Sequence, residues 1–295
     1  MMFLSGYIGI IGPPNVGKST LLNRILGRKV AIVSPKPQTT RNRIVGIYNE
    51  EGVQMVFIDT PGIHRTRTPL HKSMVASALA VFQEVDILLV MVQLGERDNA
   101  VVLPILKNLK EGMKKPCLLL INKIDKGSKE KLLPLMADYG KKHPFDAIIP
   151  ISALKGDNVD LLMNELRSRL RPGPRFFPEE METDQSENFL ISEVIREKIY
   201  LQLRQELPYA SAVTVERIDD LPERELLMIS ARIHVETDSQ KAIFIGRGGK
   251  MIQSIGRSAR LDLEKIFGVR VYLDLRVRVE KNWTRDTRAL RRLGY

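Results

Sequence analysis

The sequence predicts a doubly wound α/β domain followed by a smaller α+β domain whose helices cover one face of its sheet. Three observations carry this. From residue 3 to about 170, short apolar runs alternate with amphipathic stretches. The alternation stops at 171–187, which holds Pro172, Gly173, Pro174 and Pro178 and then an acidic, polar run. Beyond it, apolar residues recur first at helical spacing and later with a strict period of two. We therefore expect one domain at residues 1–172, a linker at 173–187 and a second domain at 188–295.

The apolar runs of the first domain are Tyr7–Ile11, Val53–Ile58, Ile87–Val92, Cys117–Ile121 and Ala147–Ile151. Each is short and nearly continuous, as strands covered on both faces must be. Leu21–Leu26, Met74–Phe82 and Val159–Leu170 supply helical patterns between them. The apolar start, Met1 to Gly12, lacks a basic n-region and a small-residue cleavage site, and reads as a buried strand rather than a signal peptide. In the second domain Ile191, Val194, Ile195 and Ile199 mark a helix, Val213 and Val215 a strand, and Leu227 to Val235 an alternating strand. A short helix, Asp238–Ile245, leads into Gly246-Arg247-Gly248-Gly249. A helix with Ile252, Ile255, Ala259 and Leu263 on one face follows, and then the period-two run from Val269 to Val279. The order is α-β-β-α-α-β.

Composition narrows the class. Of 295 residues 43% are hydrophobic and 27% charged, and no apolar run approaches the roughly 20 residues that span a bilayer. Cys117 is the only cysteine, so an internal disulfide is excluded and a reducing compartment fits; its apolar neighbours make it a buried structural thiol. The net charge of +11 is unevenly spread. Residues 241–295 hold 14 Lys/Arg against 5 Asp/Glu, while residues 182–240 hold 6 against 13. The basic end of an otherwise acidic segment points to an anionic partner.

Gly12-Pro13-Pro14-Asn15-Val16-Gly17-Lys18-Ser19 has the spacing G-x-x-x-x-G-K-S between a predicted strand and a predicted helix, with Thr20 next. Backbone amides in such a loop surround phosphates, Lys18 adds a point charge near the β- and γ-phosphates, and the Ser19 hydroxyl suits Mg²⁺. Asn122-Lys123-Ile124-Asp125 closes the run Cys117–Ile121, at the carboxyl end of a strand where α/β ligands bind. Guanine offers N1–H and an N2 amine side by side, and the Asp125 carboxylate can accept both; a buried Asp125 would be left unpaired against ATP. Asp59-Thr60-Pro61-Gly62 follows Val53–Ile58. Asp59 suits Mg²⁺ through water, and Gly62 can offer its amide to a γ-phosphate, which makes the loop after it a switch. In Gln38-Thr39-Thr40-Arg41 we favour Thr40 to complete the Mg²⁺ shell. Lys18, Thr40 and Gly62 are thus the candidate catalytic groups, and no side chain stands out as a general base.

Taken in order, GPPNVGKS, QTTRN, DTPG, NKID and Ile151-Ser152-Ala153 resemble the translation-factor-class GTPases, which have a Ras-like P-loop NTPase sheet. The resemblance implies GTP and GDP as ligands and backbone amides of Ser152 and Ala153 near the base carbonyl. Ile63 stands where Ras-like proteins carry a water-positioning Gln, which implies slow intrinsic hydrolysis. Asn15 matches a P-loop Asn that ligates K⁺ in some relatives.

Ile245-Gly246-Arg247-Gly248-Gly249-Lys250 sets cations in and beside a G-x-x-G turn between two helices, within the basic segment. This is similar to a type II KH domain, whose G-x-x-G loop clamps a nucleic-acid backbone. Ile245 and Ile252 fit either the groove or the core. A GTPase domain, a Pro-rich linker and a C-terminal KH domain ending in Trp283 and an Arg-rich segment together resemble the Era family over essentially the whole chain. That resemblance implies binding to 16S ribosomal RNA near its 3′ end, a role in maturation of the 30S subunit, a cytoplasmic monomer, and some association with the inner membrane. The rivals are a P-loop ATPase or kinase, a membrane-surface regulator of cell division whose basic tail binds acidic lipid, and a DNA-binding protein.

Overall fold

The computed structural model describes residues 2–36, 39–62, 84–95 and 115–294. The chain divides into two compact units, one running up to Asp184 and the other from Gln185 on, with Ile32–Thr39 grouped with the second. The expected helix at Met74–Phe82 and the candidate Ile63 lie outside the described residues.

The first unit is a mixed sheet of β1 (Leu4–Ile11), β2 (Ile44–Glu50), β3 (Val53–Asp59), β4 (Ile87–Gln93), β5 (Cys117–Asn122) and β6 (Ala147–Pro150), ordered β2-β3-β1-β4-β5-β6. All neighbours are parallel except β2, which runs antiparallel to β3. The two-residue β7 (Arg171–Pro172) pairs antiparallel with the start of β1. Strands β3 to β5 are buried almost throughout, as their apolar runs require. Helices α1 (Lys18–Leu26), α2 (Leu132–Lys142) and α3 (Val159–Arg167) are amphipathic and bury one side each. This is the expected doubly wound sheet. Strand β2 and the two-residue β7 are not among the apolar runs of the sequence.

Cys117 is buried, and burial pushes its thiol up to about 12, so it is a structural residue. Residues 173–184, expected as linker, lie along the first unit. The buried Gln54 side chain accepts from the amides of Phe176 and Phe177 and donates to the Phe177 carbonyl. Further on, Asn49 donates to Glu179, the Ile47 amide to Glu182 and the Thr183 hydroxyl to Val45. Phe177 and Met181 pack against the sheet core.

The second unit runs α4 (Glu187–Gln202), β8 (Ala212–Leu221), β9 (Leu226–Val235), α5 (Asp238–Ile245), α6 (Lys250–Phe267), β10 (Arg270–Val279) and α7 (Thr287–Arg292). Its sheet is ordered β10-β9-β8, with β10 parallel and β8 antiparallel to β9. The α-β-β-α-α-β order is as the periodicity predicts, with α7 added. Ser186 caps α4 and Thr237 caps α5 through their hydroxyls. The core joins Ile191, Ile195 and Ile199 of α4 to Ile229 and Ile233 of β9 and to Ile255 and Leu263 of α6. Trp283 is fully buried and its indole donates to the Ala210 carbonyl.

His234 in β9 is buried between two partners. Its Nε2 lies 2.8 Å from Thr214 Oγ1 and its Nδ1 2.9 Å from Glu280 Oε2. A neutral ring satisfies both, accepting from the threonine and donating to the carboxylate. Burial, then Arg232, Arg278 and Arg292, push its pKa down to about 4 from 6.5. Between these values the unfolded chain binds the extra proton, so this contribution is whole above pH 6.5 and is lost as pH falls towards 4. Thermal melts from pH 7 to 4.5 should show a steeper loss of stability in the parent chain than in His234→Gln. Parallel curves would contradict it.

Candidate functional site

The loop from Gly12 to Gly17 leaves β1 at the carboxyl edge of the sheet and opens α1. Gly17 has φ 106°, and a Cβ there would lie 2.3 Å from Asn122 Nδ2, so only glycine fits. It caps α1 with no side-chain hydrogen bond, which leaves the first-turn amides turned to the loop. Lys18 is buried, with Nζ 2.9 Å from the Pro13 carbonyl and 3.2 Å from that of Gly12. Burial lowers its pKa to about 8, with Asp59 opposing. Pro14 is half-buried, Asn15 is exposed with φ 60°, Val16 is buried and Thr20 is half-buried on α1.

Ser19, Thr40 and Asp59 come together from α1, the stretch before β2 and the end of β3. Ser19 Oγ donates to Asp59 Oδ2 at 2.6 Å and lies 2.9 Å from Thr40 Oγ1. The other oxygen, Asp59 Oδ1, is buried without a partner among the described residues. Burial raises the Asp59 pKa to about 6, against the pull of Lys18, Ser19, the Thr60 amide and Thr40. Two hydroxyls and an orphaned buried carboxylate oxygen are a hard, all-oxygen donor set, which fits Mg²⁺. Thr60 turns its hydroxyl away, to the Ile10 carbonyl at 2.8 Å. Pro61 and Gly62 are buried, and a Cβ on Gly62 would lie 2.7 Å from Pro14 Cα, so this loop packs directly on the phosphate loop.

The base side is held by Asn122, which is 3% exposed. Its Nδ2 donates to the Val16 carbonyl at 2.7 Å and its Oδ1 accepts from the Ala153 amide at 2.9 Å. The Ala153 amide, expected near a base carbonyl, is thus engaged with Asn122. Lys123, at φ 64°, donates to the Asn15 carbonyl at 2.7 Å and to Gln93. Ile124 opens the short turn Ile124–Lys126 that carries Asp125. The buried Ser152 hydroxyl donates to Asp125 Oδ1 at 2.7 Å. Asp125 itself is exposed, not buried as expected, and its carboxylate is oriented by Ser152.

Two supporting residues escaped the sequence reading. Gln93 ends β4 at the same carboxyl edge, and that position was a signal. Arg24 donates to the carbonyls of Ala153 and Leu154 from α1, and no motif announces it. The stretch before Thr40 also has fixed partners. The Val33 amide donates to Glu197 at 3.0 Å, Lys36 Nζ donates to the carbonyls of Tyr200 and Leu203 at the end of α4, and the Thr39 hydroxyl donates to the Lys36 carbonyl at 2.8 Å.

In the second unit Gly246 has φ 72°, and a Cβ would lie 2.8 Å from Met251 Cβ, so the turn requires glycine. Arg247–Gly249 form one tight turn, closed by the Gly249 amide on the Gly246 carbonyl at 3.1 Å. Lys250 opens α6 with no side-chain cap. Arg247, Gly248 and Lys250 are exposed, and Ile245 and Ile252 are half-buried. The turn therefore presents exposed cations and uncapped helix amides, an anion-binding arrangement.

The profile of the 50S ribosome-binding GTPase family matches residues 7–123, and that of the KH domain matches residues 206–284. GTPase Era of Syntrophus aciditrophicus is 53% identical over 295 residues, covering 100% of this chain and 96% of the relative. GTPase Era of Geobacter metallireducens is 48% identical, covering 99% and 98%. Two crystal structures are each 40% identical and cover 99% of both chains. One is Era with MgGDPNP and nucleotides 1506–1542 of 16S ribosomal RNA, at a TM-score of 0.95. The other is a point variant of Aquifex aeolicus Era with GDP·AlF4⁻, at 0.94. With 53% and 48% identity to two members over essentially its full length, and with the GTPase and KH models matched in order, the chain belongs to the Era family of GTPases.

Proposed function

We propose that this chain is a GTP-hydrolysing switch that binds the 3′ region of 16S ribosomal RNA through its KH turn and acts, in the cytoplasm, in building the 30S subunit. The observation that carries the reading is Asn122, whose one buried amide joins the phosphate loop at Val16 to the base loop at Ala153. The Era structure that holds MgGDPNP together with nucleotides 1506–1542 supports pairing the two ligands.

GTP is cleaved to GDP and phosphate by in-line attack of water on the γ-phosphate. Lys18 and the loop amides stabilise the charge that spreads over the γ-oxygens, and the Gly62 amide contacts that phosphate. Ser19, Thr40 and Asp59 would hold Mg²⁺, which would supply positive charge to offset that of the phosphates. Asp125 accepts from the guanine N1–H and N2 amine. Asn15 would ligate K⁺ beside the phosphates. Contacts of Thr40 and Gly62 with the triphosphate and its Mg²⁺ would be lost with the γ-phosphate, which is the switch. Arg247 and Lys250 contact phosphates there, and Ile245 and Ile252 flank the strand.

Asp125→Asn should weaken GTP binding by about 100-fold or more and make xanthosine triphosphate the preferred ligand. Calorimetry that finds GTP still preferred would exclude the base-reading role. Arg247→Ala and Lys250→Ala should each weaken binding to an RNA of nucleotides 1506–1542 and lower the salt dependence, by about 0.7 in log–log slope for each phosphate left without its cation. Losing affinity for anionic vesicles while keeping it for the RNA would favour a lipid partner instead. GTPase rates should be higher in K⁺ than in Na⁺ buffer, and equal rates would remove the K⁺ assignment.

A further inference from the structure

We propose that the cleft between the Ile124–Lys126 turn, α2 and the loop before α3 is a second ligand site, separate from that of the nucleotide, for a small organic cation with an apolar body.

The cleft holds about 510 Å³ and is open to solvent on one side. It lies at the carboxyl ends of β4, β5 and β6, where Leu94, Ile124 and Pro150 line it. That edge of an α/β sheet is where ligands bind. The volume falls in the range of about 300–1,000 Å³ typical of small-molecule sites. Leu132 and Leu133 of α2 extend the apolar wall, and Leu133 is 73% exposed.

The walls are fixed before anything binds. The Leu94 amide donates to the Asn122 carbonyl at 2.9 Å and the Ile124 amide to the Ile151 carbonyl at 3.3 Å. Asn158, which also borders the cleft, donates through Nδ2 to the Pro150 carbonyl at 2.7 Å. Gly127 has φ −125°, which any residue can adopt, yet a Cβ there would lie 2.5 Å from Leu94 Cδ2. Glycine at 127 thus lets Leu94 seat directly on the turn.

The cleft is not the base pocket. Of the residues placed around the base, Asp125 borders it, but Asn122, Lys123, Ser152 and Ala153 do not. The turn is shared and the spaces differ. Asp125 keeps its charge while it accepts from guanine, and a carboxylate has lone pairs for more than two donors. Nucleotide and cation can therefore be bound together.

Charge selects the occupant. The charged groups among the described lining residues are both acidic, Asp125 and Asp157. No described residue pairs with the Asp157 carboxylate. Apolar walls beside two carboxylates attract a cation that carries hydrophobic surface and repel phosphates. A metal ion fits less well. Two carboxylates fall short of the oxygen cage it needs, and no group of three or more His, Cys, Asp or Glu gathers among the described residues.

The test uses the full chain, loaded with GDP, and two probes of one shape, phenethylammonium and the neutral phenethyl alcohol. Titrations followed by saturation-transfer NMR at low salt should show the ammonium binding about tenfold more tightly. Asp157→Asn should bring the two to within about threefold of each other. Leu133→Gln should weaken both alike, by about threefold. Both variants should hold GDP as the parent does, which shows that they are folded. Absence of saturable ammonium binding overturns the proposal, as does equal affinity for the alcohol or an unaltered preference in Asp157→Asn. Binding seen in the nucleotide-free chain but abolished by GDP overturns it too, because the probe then sits at the base. A parent chain that takes up no GDP sinks the guanine reading instead, and the same affinity ratios in the nucleotide-free chain then decide this proposal.

Discussion

The side-chain amide of Asn122 is the constraint on which the nucleotide site depends. Strand β4 separates β1 from β5, so the phosphate loop must cross its end to reach the base loop. Gly12 makes the crossing, since a Cβ there would sit 2.3 Å from the Met91 carbonyl. Beyond it, the Val16 carbonyl accepts from Asn122, and the same side chain takes the Ala153 amide. Three loops from three strands are thus fixed by one residue. Because that residue is buried, either bond left unmade would cost about 1–3 kcal/mol. The loop after β1 and the loop after β6 are in this way held as one unit.

Inside that frame the electrostatics are set for a ligand. Lys18 and Asp59 are both buried, and burial disfavours the charged form of each, lowering one pKa to about 8 and raising the other to about 6. Neither charge is fully compensated by the protein. Lys18 spends its ammonium on two loop carbonyls and Asp59 keeps one oxygen without a partner among the described residues. An anionic phosphate beside Lys18 and a divalent cation beside Asp59 would each stabilise the ionised form, so two such ligands would reinforce one another. The groups are held in place before binding, which is what electrostatic catalysis requires.

How much of this was legible follows from the range of the forces involved. Motifs whose function lies in consecutive backbone amides, such as Gly12 to Ser19, are local, and the sequence displays them directly. So is the alternation that builds β10, where period two survives ten residues. What escaped was non-local. Strand β2 is interrupted by Gly46 and ends in polar residues, and it is a strand because β3 pairs with it along its whole length. Proline-rich residues 173–184 have the composition of a linker, but Gln54, far away in sequence, satisfies their backbone. The exposure of Asp125 and the capture of the Ala153 amide depend on side-chain partners that no spacing rule contains.

The same distinction bears on how a nucleotide could govern the second unit. A ligand shifts an equilibrium only by its differential affinity for the two states, so the coupling must pass through groups whose partners change. Thr40 is such a group, since its hydroxyl lies among the proposed Mg²⁺ ligands. Four residues earlier, Lys36 donates to two carbonyls at the end of α4, and Val33 is tied to Glu197 on the same helix. A tenfold change in affinity needs only about 1.4 kcal/mol, which is the net worth of one or two hydrogen bonds. The bonds made by Lys36 and Val33 are of that size.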